Sequence, residues 1–252
     1  MANDELSGVP GDLWQKFISG FGHAEIPAVS IGELIVVILI ATVLSIPRST
    51  WKYFGLLATV AHELGHAFAA LMSGQRLGGI TLRLDHSGTT MSFSRGRFPA
   101  VWSGFWGYPV PALTGAAMVL AGFNGWGPAA MSLGAVILLA ALVFVRNAVG
   151  ILIVAAASLL AAVLVLLVPA HFTGHVVIVL GLALLVAAVR DLGKLLQVHL
   201  RRRDQLPTSD AYLLYRATSI PSVIWIVLFA ALVGGSWFIA WQPVSRILTA
   251  AT

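Results

Sequence analysis

The chain has 252 residues, of which 58% are hydrophobic and only 10% charged, and it contains no cysteine; its mean hydropathy is +0.91. A soluble domain carries roughly 25% charged residues, so an ordinary water-soluble globule is excluded. The net charge of +5 does not point to nucleic acid, because the basic residues are scattered between apolar runs and form no basic face. Without thiols, disulfide frameworks, thiolate metal sites and cysteine nucleophiles are excluded, and a bound metal must rely on histidine and carboxylate.

Residues 1–30 open acidic and are interrupted by Pro10. They lack the continuous apolar core of a signal peptide and read as a cytoplasmic tail, with an amphipathic stretch around 13–21. A bilayer-crossing helix needs about 20 apolar residues. Seven runs approach that length, at 31–46, 53–73, 101–123, 129–145, 148–168, 174–189 and 220–241. The first and sixth are short, and only Arg146 and Asn147 interrupt the stretch 129–168. The expected fold class is an all-α polytopic membrane protein of about six to seven transmembrane helices, its membrane domain spanning 31–241 and followed by a short tail at 242–252.

Two segments depart from the apolar pattern. Residues 77–98 alternate around Asp85-His86-Ser87-Gly88, the mark of a small β-hairpin after the second span. Residues 190–219 form a polar loop in which Pro207-Thr208-Ser209-Asp210 precedes a short helical stretch. Cytoplasmic loops carry the excess of Lys and Arg. Placing the N-terminus inside puts twelve of the 15 basic residues in the cytoplasm and leaves Arg48, Lys52 and Arg246 outside. The expected topology is therefore N-terminus cytoplasmic, C-terminus extracytoplasmic.

The second span contains His62-Glu63-Leu64-Gly65-His66. Residues four apart share a helical face, so the two imidazoles are placed to share one Zn²⁺, while Glu63 beside them suits a general base on a metal-activated water. The H-E-x-x-H pattern recurs by chance in soluble chains. Three ionisable residues in five inside an apolar span are costly and call for a functional reason.

These residues resemble the intramembrane zinc metalloproteases of the site-2 protease type, in particular the bacterial M50B-like branch. The resemblance rests on the H-E-x-x-H inside a span and the Gly- and Thr-rich hairpin after it. It rests also on Gly107-Tyr108-x-x-Pro111-x-x-x-Gly115, on Ser209-Asp210-Ala211-x-x-Leu214 and on Thr218-x-x-Pro221-x-x-x-Trp225. It implies a zinc-dependent endopeptidase of a bacterial plasma membrane that cleaves membrane-protein substrates, with the zinc toward the cytoplasmic side and the hairpin holding an extended substrate by strand addition.

The family's third ligand is usually an Asp followed by Gly, within a motif beginning Asn-Pro that this chain lacks. Asp191, at the cytoplasmic end of the sixth span, is the favoured candidate, against a plain ion pair with Arg190 or Lys194. Asp210 is the alternative ligand, although Ser-Asp before Ala-Tyr-Leu-Leu also suits a helix start. Asn147 stands in for the family's substrate-binding Asn, a polar turn between spans explaining it equally well. The competing functions are a catalytically silent membrane scaffold, favoured by the missing motif, and a metal-ion transporter, for which intramembrane carboxylates are few.

Overall fold

The computed structural model describes Gln15, Ile18 and residues 20–250; most of the expected 13–21 stretch lies outside them. The described chain is mostly helical: α1 (Ile31–Ser45), α2 (Arg48–Met72), α3 (Arg97–Phe105), α4 (Pro109–Phe123), α5 (Gly127–Ala141), α6 (Ala148–Leu167), α7 (Ala170–Leu200), α8 (Asp210–Thr218) and α9 (Ser222–Ala250). Strands β1 (Arg76–Leu82) and β2 (Gly88–Phe93) pair antiparallel after α2, as the alternation predicts. Among the described residues, α2, α6, α7 and α9 are long and apolar enough to cross a membrane. The apolar helices α1, α4 and α5 have 15 residues each, about 22 Å at the α-helical rise, short of a hydrocarbon core of about 30 Å.

The antiparallel pair α4 and α7 forms the centre, and glycine sets its spacing. A Cβ on Gly115 would lie 2.6 Å from the Gly181 carbonyl oxygen, and one on Gly181 equally close to the Gly115 oxygen. Two turns along, Gly122 and Gly174 meet in the same way, at 2.7 and 2.9 Å. With no side chains between the backbones the helices approach closely, and Val119, Ile178 and Leu185 close around the contact with Ala41 of α1 and Ala58 of α2.

Two expected spans are shorter than their apolar runs. The run 101–123 breaks at Trp106-Gly107-Tyr108 because Pro109 has no amide proton to bond the Phe105 carbonyl and its ring collides with that oxygen; Pro109 instead starts α4. The run 129–145 leaves the helix after Ala141. A tight turn follows at 142–144, and Val145 then makes a single bridge to β1, where the Ile80 amide donates to Phe144 O (2.8 Å) and the Arg146 amide to Ile80 O (2.9 Å). β-Branched Val145 suits that bridged position.

The hairpin lies along α2. The His86 ring fills the space left at Gly55, where a Cβ would come within 2.8 Å of it, and Thr90 bonds Glu63. Gly55, Thr59 and Glu63 thus form one stripe facing the hairpin. At the tip, the Ser87 hydroxyl (2.6 Å) and amide (3.0 Å) both donate to Asp85 Oδ1, holding that carboxyl below its ordinary pKa. Both ends of α2 meet elements at the hairpin end of the bundle. The Arg190 guanidinium sits 4.0 Å from the Trp51 ring centroid, and Gln75 Nε2 donates to Pro99 O (2.8 Å). The helix therefore crosses this end obliquely.

That obliquity bears on where the described ends of the chain lie. The Ala24 amide donates to Gly125 O (2.8 Å), Glu33 Oε1 lies 3.8 Å from His175, and Pro27 and Val29 line one cavity with Gln242 and Arg246. The described start of the chain and the end of α9 thus lie at one end of the bundle, opposite the hairpin. The sequence expectation placed them on opposite faces, because it counted α2 as a full traverse. Cysteines introduced at Glu25 and Arg246 should label from one membrane face and a cysteine at Ser87 from the other; opposite-face labelling of the first two would contradict this arrangement.

Candidate metal centre

The periodicity of α2 sends the two parts of the H-E-x-x-H in different directions. Glu63 belongs to the hairpin stripe, while His62 and His66 point into the bundle beside the break between α3 and α4. There His62 Nε2 and His66 Nε2 stand 3.1 Å apart, and each lies 3.2 Å from Asp210 Oδ2. Among the described residues this is the group of His and carboxylate placed to hold a metal ion. The triangle is slightly tighter than the edge of about 3.4 Å in a tetrahedron with bonds of about 2.1 Å.

The donor set fits zinc for a chemical reason. His66 Nδ1 is 2.8 Å from Ser103 O. A carbonyl only accepts, so Nδ1 carries the proton and Nε2 of the neutral ring presents its lone pair, the orientation usual for a metal-ligating imidazole. Asp210 Oδ2 faces the same point, buried and without a hydrogen-bond donor. Lone pairs converging in an apolar surrounding need a cation between them.

Each ligand is fixed from behind. The His62 ring meets Tyr108 edge to face (4.8 Å, 87°), and Tyr108 stacks on Phe229 (5.1 Å, 20°). Asp210 is the first residue of α8, which Ala211 and Leu214 anchor among Leu195, Trp225 and Phe229. The Ser209 hydroxyl makes no capping bond and lies 2.9 Å from His199 Nε2, tying the turn before Asp210 to the end of α7. A Cβ on Gly107 would overlap His66 Nε2 and lie 2.7 Å from His62 Nε2. Glycine there leaves the ion its room.

Glu63 is 4% exposed. The Thr90 hydroxyl lies 2.7 Å from Glu63 Oε2 and 3.0 Å from its carbonyl oxygen, and β2 approaches so closely that a Cβ on Gly88 would lie 2.6 Å from Oε1. Two expected site residues stand elsewhere. Asp191 is no part of the triangle: α7 stays helical through Leu200, and the Asp191 carboxylate takes a hydrogen bond from Lys194 Nζ (2.9 Å) one turn along. Asp210, the alternative candidate, is the carboxylate that stands beside the two histidines. Asn147 has its carboxamide bonded to the β1 backbone at Leu82.

A family model described as Peptidase M50B-like matches residues 35–240. The chain belongs to that family. No curated protein and no solved structure matches it. The matched span of this M50B-like chain contains the whole triangle, Glu63 and the hairpin.

Asp210→Ala should remove the metal from purified protein, whereas Asp191→Ala should leave it, since an ion pair of that exposure contributes only about 0 to 1 kcal/mol. Metal analysis decides between them. Gly107→Ala should lower metal content as severely as loss of a histidine, because its methyl group occupies the space between the imidazoles.

Proposed function

We propose that this M50B-like protein is a zinc-dependent intramembrane endopeptidase that hydrolyses peptide bonds in or near transmembrane segments of membrane-protein clients. The observation that carries the reading is the convergence of three lone pairs from His62, His66 and Asp210 beside a buried, hairpin-covered Glu63. Zinc, when bound, supplies polarisation of the scissile carbonyl and a water acidic enough to deprotonate near neutral pH. Glu63 takes the proton from the attacking water and delivers it to the amide nitrogen as the C–N bond breaks. Thr90 orients the Glu63 carboxylate through Oε2.

The substrate site follows from strand pairing. Ile80 turns its amide and carbonyl toward Phe144 and Arg146, and Leu82 turns both toward Asn147, so both point away from β2. Antiparallel pairing obliges their partners on β2, Thr90 and Gly88, to turn their backbone groups away from β1. Those groups lie on the free edge of β2 beside Glu63, where an extended peptide can add as a strand.

The membrane placement follows from charge. Arg48 and Lys52 join the hairpin arginines, Arg146 and Arg201 to Arg203 at one end, while Arg246 lies at the other. The hairpin end is cytoplasmic in a bacterial plasma membrane. A transport reading would need further ligands along a path, and no second group of three metal-binding side chains occurs among the described residues.

In membranes, Glu63→Gln should lower client cleavage by about 10² to 10⁴ while zinc stays near one per chain. Undiminished cleavage by this variant would overturn the reading, and so would a wild type that cleaves no membrane client.

A further inference from the structure

We infer that Asn147 is a positioning residue: its carboxamide acts as a surrogate strand that closes the β1 edge, leaving β2 as the edge open to a substrate. The inference rests on the hydrolase reading above for its consequence, and on the geometry of the sheet for its basis.

Asn147 Nδ2 donates to Leu82 O (2.7 Å) and the Leu82 amide donates to Asn147 Oδ1 (3.1 Å). A carboxamide carries the same donor and acceptor as a peptide group. This pair of bonds continues, two residues along β1, the backbone pair that Ile80 makes with Phe144 and Arg146. The side chain is diverted from another task. Asn147 is the N-cap of α6, with extended φ −120° and ψ 149°, yet it makes no capping bond, although Asn is among the best residues for capping. Gly150 keeps the space clear: a Cβ there would lie 2.5 Å from Asn147 Oδ1 and 2.7 Å from Val145 Cγ1.

An unpaired strand edge invites any extended chain. With Ile80 and Leu82 both satisfied, a peptide finds no acceptor on the β1 side, where it would lie away from Glu63. Leu82 also faces Gly88 across the hairpin. Holding Leu82 therefore holds Gly88, whose backbone lies against the Glu63 carboxylate.

The test is Asn147→Leu in the full chain, first without substrate. Hydrogen exchange of the Leu82 amide should accelerate by about tenfold or more, as for loss of one buried hydrogen bond, with zinc content unchanged. With a cleavable client, KM should rise by about tenfold and kcat change by less than about twofold. Unchanged Leu82 exchange would overturn the inference, and a raised KM with unchanged exchange would assign Asn147 to direct substrate contact. If Asn147→Leu loses its zinc and fold, Asn147→Asp serves instead. It keeps an acceptor for the Leu82 amide but has no donor for the Leu82 carbonyl, so KM should still rise; wild-type exchange and wild-type KM together would overturn the inference. The exchange measurement needs no client, so a wild type that cleaves nothing would refute the hydrolase reading separately.

Discussion

The contact between backbones at Gly115 with Gly181 and Gly122 with Gly174 is the constraint on which the rest is built. In a bilayer the apolar faces of helices gain little by leaving lipid, so close packing must supply the cohesion. Four glycines let α4 and α7 touch over two turns and leave no freedom to slide, because each Cα fits against a carbonyl of the other helix. α4 begins at Pro109, so this contact also sets the height of the Trp106-Gly107-Tyr108 turn. That turn carries the glycine beside the imidazoles and the aromatic ring against His62.

From this fixed turn, the site is assembled by three elements with separate supports. α2 brings the imidazoles to the turn, Gly65 allowing the approach: a Cβ there would lie 2.5 Å from Trp106 O. The hairpin covers the Glu63 carboxylate from the opposite side. α8 brings the acidic ligand from below, pinned by an apolar cluster and by the Ser209 to His199 contact. The polar site is thus enclosed by aliphatic side chains such as Leu195 and Leu214 and by aromatics.

What the sequence made legible follows local rules. The i,i+4 spacing of His62 and His66 and the alternation through the hairpin are properties of a few consecutive residues, and each appears in the structure as expected. The break at Pro109 was legible in principle from the proline alone, but the surrounding apolar run masked it. Which of two candidate carboxylates joins the histidines was not legible. Asp191 and Asp210 both follow the sixth apolar run, and only the reversal of the chain through the turn at Arg203–Thr208 decides which carboxylate returns to the histidines. The course of α2 was not legible for a similar reason: hydropathy measures whether a helix is apolar enough to cross, and α2 is, but its tilt is set by the helices it packs against.

The triangle of ligands also has a temporal meaning. His62 and His66 belong to the first third of the chain, whereas Asp210 follows 144 residues after His66. During synthesis the histidines enter the membrane long before their acidic partner exists, and two imidazoles alone make an incomplete shell for zinc. The centre is completed only after α7 is in place and the chain has turned back through α8. An ion bound then joins distant parts of the chain as a cross-link closing a long loop, which removes more entropy from the unfolded chain than a short one. Order of synthesis thus brings the third donor to the histidines only after the helices that hold them are made, with α9 still to close over all three.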